Sequence, residues 1–106
     1  DGKQTRSFCY IDDLLNAFIK IMNSNYAYPI NIGNNDEVSI NKIASIIISL
    51  LNSNSKVKYN ELPKDDPLKR RPDISLAKKI LNWTPNVSKE SGIKILIDYY
   101  KKNKMI

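Results

Sequence analysis

The sequence predicts one small, helix-rich domain of mixed α and β class, with about four helices and two or three short strands. Three observations point there. Four stretches carry apolar residues at helical spacing, each with a capping residue near its start. Between them lie short alternating stretches suited to strands. The length, 106 residues, fits a single domain spanning residues 1–106, with no internal repeat and no linker.

The elements follow in order. "TRSFCYI", from Thr5 to Ile11, is extended and leads into a helix that Asp12 or Asp13 can cap. Ile11, Leu15, Phe18, Ile19 and Met22 fall on one face of that helix, the face expected to turn inward. "YPINIG" from Tyr28 to Gly33 reads as a strand, and "NNDE" after it as a turn. Ser39 is placed to cap a second helix, whose Ile40, Ile43, Ala44, Ile47, Leu50 and Leu51 form a stripe. Ile46 and Ile48 widen that stripe, so burial on most sides is expected. "KVKYN" reads as a half-exposed strand. "ELPKDDPLKRRP" is a long loop, and loops of that length in small domains are often functional. Asp73 stands at the N-cap of a third helix with Ile74, Ala77, Ile80 and Leu81 on its inner face. Pro85 breaks that helix, and Ser88 caps the last one, lined by Ile93, Leu96, Ile97 and Tyr100. Trp83 and Pro85 read as packing residues, and Cys9 as buried filler beside Tyr10.

Composition excludes several functions. There is no histidine, which removes the commonest general base and metal ligand and leaves neither a histidine triad nor a metal site to expect. The single cysteine, Cys9, forms no internal disulfide, which suits a reducing compartment. No apolar run approaches the roughly 20 residues that cross a membrane, and "DGKQTRSF" carries no secretory signal, so the cytoplasm is the default location. With only three glycines, no glycine-rich phosphate loop exists, and no cofactor-binding residue is expected on this chain. A Tyr-x-x-x-Lys spacing occurs only at Tyr100 and Lys104, at the frayed C-terminal end.

The net charge of +6 suits an anionic partner. Nucleic acid is one such partner, but no zinc spacing, stacking-aromatic strand or glycine clamp supports it, and no nucleic-acid partner is expected. Arginine binds phosphate or carboxylate through two parallel hydrogen bonds. Arg6, beside Phe8, and Arg70 with Arg71, just before a helix start, are therefore the candidates for an anion clamp. The neighbouring acids Asp65 and Asp66 show no arrangement typical of an acid–base pair.

Two segments are more specific. "DGKQTRSFCYIDDL" and "DDPLKRRPDISLAKKILNWTP" together resemble the C-terminal part of a UDP-glucuronate decarboxylase, an extended short-chain dehydrogenase. The resemblance covers essentially the whole chain in order. It implies a substrate-binding lobe, with NAD, the glycine fingerprint and the catalytic Tyr and Lys on a missing N-terminal Rossmann domain, and a homodimeric full-length enzyme. By that resemblance, Arg6 contacts the UDP phosphates of a UDP-sugar. Arg70 lies near the sugar carboxylate and assists catalysis. Arg71 is a further substrate-side cation, and Gln4 and Ser39 line the substrate rim. The implied chemistry oxidises the sugar at C4, releases carbon dioxide from the resulting β-keto acid and returns the hydride, giving UDP-xylose. A dTDP-glucose dehydratase or UDP-sugar epimerase shares the looser pattern, while "RRPDIS" favours the decarboxylase.

Overall fold

The computed structural model describes all residues, 1–106. It contains two short strands, β1 (Thr5–Ser7) and β2 (Glu37–Ser39), and four helices: α1 (Ile11–Met22), α2 (Ile40–Leu51), α3 (Ser75–Leu81) and α4 (Lys89–Lys102). The helix-rich mixed α and β class is as the sequence predicts. No helix is long and apolar enough to cross a membrane.

The strands pair antiparallel, with Arg6 opposite Val38. Their ladder runs on into α2, because Ile40 N–H donates to the Gln4 carbonyl at 3.0 Å and Asn41 N–H to the Gly2 carbonyl at 2.9 Å. Ser39 Oγ accepts from Lys42 N–H at 3.2 Å, so it is the cap the sequence calls for. Three amides of the first turn of α2, which a helix otherwise leaves unpaired, are thereby satisfied.

The strands differ from those expected. Residues 28–33 form no strand; Ile30 and Ile32 instead pack as irregular chain against the core. Residues 56–60 also stay irregular, with Val57 and Tyr59 exposed. The second strand starts at the last residue of the segment read as a turn, where Asn34 Oδ1 accepts from Asp36 N–H at 2.8 Å just ahead of β2. Alternation marked the apolar residues correctly, but neither expected segment finds a pairing edge, and a strand needs a partner more than a pattern.

The core is small. Ala17, Ile74, Ala77, Leu81 and Trp83 form it. Ala17 and Ala77 are both 0% exposed, and their small side chains let α1 and α3 lie close. Gly92 plays a similar part for α4, since a Cβ there would stand 3.0 Å from Tyr10 Cδ2. Asp13 ties these parts together. It is buried, and its Oδ2 accepts from the backbone N–H groups of Asn86 and Val87 at 3.0 and 2.8 Å. Its backbone carbonyl accepts the Trp83 indole N–H at 3.1 Å. Neither Asp12 nor Asp13 caps α1; Tyr10 occupies the cap position without a side-chain bond. Sequence spacing put Asp13 at a helix start but could not show that a loop some 70 residues on supplies its partners.

Much apolar surface is uncovered. Ile11, Leu15, Phe18, Ile19 and Met22, the stripe expected to face inward, are all exposed, with Met22 at 82%. No residue of α2 is buried, against the expectation of burial on most sides. Ile80 and Leu96 are likewise exposed, whereas Ile97 is buried. The amphipathic patterns are real, but the chain covers those faces only in part: α2 packs on α4 and β2, while the α1 stripe from Ile11 to Met22 stays exposed. The molecule is a slab of 50 × 37 × 18 Å with a radius of gyration of 16.3 Å, against about 13 Å for a compact chain of this length. Its 8176 Å² of accessible surface exceeds by about 2,000 Å² what a compact monomer of this mass exposes.

Two stability predictions follow from these contacts. Asp13→Ala strands two buried amides and should cost about 2–3 kcal/mol, with Asp13→Asn costing less because its carbonyl still accepts. Ser39→Ala should cost about 1 kcal/mol through loss of the cap. Chemical denaturation of the polypeptide that carries these residues checks both; an Asp13→Ala variant as stable as the parent would refute the assigned role of the carboxylate.

Candidate functional site

The site is built on β1 and the long loop before α3. That loop lies against the free edge of β1, where Thr5 N–H donates to the Leu68 carbonyl at 2.8 Å. Ser7 Oγ donates to the Arg70 carbonyl at 2.9 Å. Arg6, between them, reaches the same loop through its side chain. Its Nη1 donates to the Thr5 carbonyl at 2.7 Å and the Pro67 carbonyl at 2.8 Å. Its Nη2 sits 2.7 Å from both carboxylate oxygens of Asp66. Charge-assisted bonds of this length are the strong ones, and the Arg6 side chain is 20% exposed. Three consecutive residues of one short strand thus fix the path of residues 66–70.

That path brings the arginines together. Arg6, Arg70 and Arg71 line one open cleft of ≈ 460 Å³ with Ser7, Phe8 and Pro72. Arg70 and Arg71 are exposed, and neither takes part in an ion pair on the chain. Pro72 packs close over Gly33, where a Cβ would lie 3.1 Å from Pro72 Cγ, and this contact anchors the segment directly after Arg71. Three guanidinium groups against one carboxylate give the cleft a positive balance. Two of the three present free donors, the arrangement that receives phosphate or carboxylate groups.

The other candidates stand elsewhere. Gln4 lines a separate cleft with Asn41 and Tyr59, and its carbonyl serves α2. Ser39 is engaged in its cap and does not line the arginine cleft. The start of α3, expected to favour an anion next to Arg70 and Arg71, is taken by Asp73. Its Oδ1 accepts from Ser75 N–H at 2.9 Å and from Ser75 Oγ at 2.6 Å, and these bonds hold its carboxyl below the usual range, the side-chain bond contributing most. Asp73 therefore acts two residues ahead of the helix, while Ile74 occupies the formal cap position.

The cleft is equipped to bind and offers little to catalyse alone. Cys9, half-buried, has its thiol pushed up, first by burial and then by the charge of Asp13, so the reactive thiolate is disfavoured. Asp66 is committed to Arg6. No group of three His, Cys, Asp or Glu side chains could hold a metal ion. No glycine-rich turn between strand and helix offers a dinucleotide site, since Gly92 lies within α4 and Gly2 packs on Asn41. Sequence reasoning overlooked Asp66, which reads as one of two loop acids until the fold brings it to Arg6 across 60 residues.

No family model matches the chain. It is 43% identical over 101 residues to UDP-glucuronic acid decarboxylase 1 of Danio rerio, a match that covers 95% of this chain and 24% of the relative. It is 39% identical over 100 residues to UDP-glucuronic acid decarboxylase 3 of Arabidopsis thaliana, covering 94% of this chain and 29% of that protein. Among solved structures, the UDP-glucose 4-epimerase of Thermotoga maritima with UDP-glucose superposes with a TM-score of 0.93 at 28% identity, over 98% of this chain and 34% of that one. The UDP-glucuronic acid 4-epimerase of Bacillus cereus, in complex with UDP-glucuronic acid and NAD, superposes with a TM-score of 0.87 at 29% identity, over 97% of this chain and 34% of that one. The chain therefore spans about a quarter of the length of the curated relatives it matches. By sequence this chain is similar, over nearly its whole length, to about a quarter of these UDP-glucuronic acid decarboxylases, and by fold it superposes on about a third of the two UDP-sugar 4-epimerases.

Proposed function

We propose that residues 1–106 form the C-terminal, sugar-nucleotide-binding lobe of an NAD-dependent UDP-glucuronate decarboxylase, which converts UDP-glucuronate to UDP-xylose and carbon dioxide. The observation that carries this reading is the arginine cleft, with Arg70 and Arg71 unpaired beside Arg6, on a chain similar throughout to those decarboxylases. The substrate carries a diphosphate and a carboxylate, and the cleft offers forked cations for both. In this reading Arg70 holds the sugar carboxylate, Arg71 adds positive potential at the rim, and Arg6 lends its charge from the wall. Gln4 and Ser39, outside the cleft, support it only by fixing the start of α2.

NAD supplies the transient oxidation of the sugar. The residues of this chain do not fit a dinucleotide, so its binding falls to a companion domain outside residues 1–106. The uncovered apolar stripe of α1, from Ile11 to Met22, supports such a companion, because a contiguous exposed apolar face of this kind marks a contact surface. The complete protein, in this reading, is a homodimer assembled through that companion. What the lobe contributes to rate is placement, since fixing the diphosphate and the carboxylate holds the sugar against the cofactor.

The test is to supply the complete polypeptide with UDP-glucuronate and NAD and to identify the products by mass spectrometry. A UDP-pentose with release of carbon dioxide is expected. A six-carbon product would assign the lobe to an epimerase or dehydratase instead, and no turnover with no UDP binding would remove the sugar-nucleotide reading. Arg70→Ala should lower kcat/KM about 10- to 100-fold through loss of a charged hydrogen-bond donor. Arg70→Lys should recover only part of this, because lysine keeps the charge and loses the fork.

A further inference from the structure

We infer that Asp66 is a positioning residue for the anion cleft: through the Arg6 guanidinium, it sets the course of the loop that delivers Arg70 and Arg71. The inference rests on the reading of that cleft as a sugar-nucleotide site. Both carboxylate oxygens of Asp66 lie 2.7 Å from Arg6 Nη2, and Nη1 is spent on the Thr5 and Pro67 carbonyls. Both Nη groups of Arg6 are therefore committed to the chain, and only Nε–H is left without a partner on it. An arginine so engaged braces the loop and is poorly placed to grip a ligand with its fork.

The brace has a specific target. The loop between Pro63 and Arg71 contains no helix or strand and is tied to β1 at Leu68, through the backbone of Thr5, and at Arg70, through Ser7. Both ties hold main chain only. The Arg6–Asp66 pair adds a charged side-chain contact at residues 66 and 67, just upstream of both ties and of the two free guanidinium groups. Asp66 therefore favours anion binding although its own charge opposes an anion. A carboxylate that merely neutralised the cleft would have the opposite effect, and this difference of sign makes the inference testable.

The experiment uses the complete polypeptide, with UDP as the probe and calorimetry as the readout, on Asp66→Asn, Asp66→Glu, Arg6→Gln and the double variant Asp66→Asn/Arg6→Gln. Asp66→Asn is expected to weaken UDP binding about tenfold, the loss of one charged hydrogen-bond pair. Asp66→Glu should restore part of the affinity. The Asp66→Asn penalty should vanish in the Arg6→Gln background, since the acid acts through that arginine. Unchanged or tighter binding by Asp66→Asn, or an equal penalty in both backgrounds, would overturn the inference. Trypsin cleavage after Lys69 and Arg70 gives a ligand-free readout. Asp66→Asn should be cut several-fold faster there than the parent, and equal rates would also overturn the brace. If the parent binds no UDP, the sugar-nucleotide reading fails, and the cleavage rates alone decide whether the brace exists.

Discussion

The structure depends most on the buried carboxylate of Asp13. A lobe with so small a core cannot hold its parts by apolar contact alone, and 12 of its 106 residues are buried. Asp13 compensates by binding α1 to the connection between α3 and α4, through two backbone amides at its carboxylate and the Trp83 indole at its carbonyl. Trp83 in turn closes the cluster containing Ala17, Ile74, Ala77 and Leu81. A polar group is costly to bury unless its hydrogen bonds are made. Here they are made to main chain, which fixes the entry to α4 as well as the depth of α1.

The arginine cleft stands at the other end of the same chain of constraints. Ile74, the buried start of α3, is held in the core, so the segment before it must approach from a fixed direction. Pro72 packing over Gly33 narrows that direction further. β1 holds the upstream end of the loop with three neighbouring residues. The segment carrying Arg70 and Arg71 is thus restrained at both ends and open at its side chains. That combination suits a binding loop: a pre-placed backbone spends little ordering entropy on the ligand, and exposed guanidinium groups keep their donors free.

The sequence made the helices legible and the exposed faces misleading. Ser39 and Ser88 announce their helices correctly, because a cap bond is local and needs nothing beyond the next turn. The α1 stripe was equally clear as a pattern, yet periodicity tells which residues share a face and not what covers it. Strands 28–33 and 56–60 failed for a related reason, since alternation cannot reveal whether a partner edge exists. The same limit applies to the site. Arg6, Arg70 and Arg71 stood out by residue type, whereas Asp66 and Asp13 act only through partners 60 and more residues away. At sequence level, both looked like ordinary loop or cap acids.

These two acids explain why a lobe with an acid-poor, basic composition still places its carboxylates with care. Of its eleven Asp and Glu residues, Asp13 and Asp66 are spent on well-formed hydrogen bonds that orient other groups. Asp73 does the same on a smaller scale for the first turn of α3. Each turns its carboxylate to holding backbone, hydroxyl or guanidinium in place. The remaining positive balance reaches the cleft as well. Within the arginine cleft it falls on Arg70 and Arg71, the two guanidinium groups there without an ion pair. A ligand bearing phosphate or carboxylate would meet there the cations of the cleft that the chain has left unneutralised.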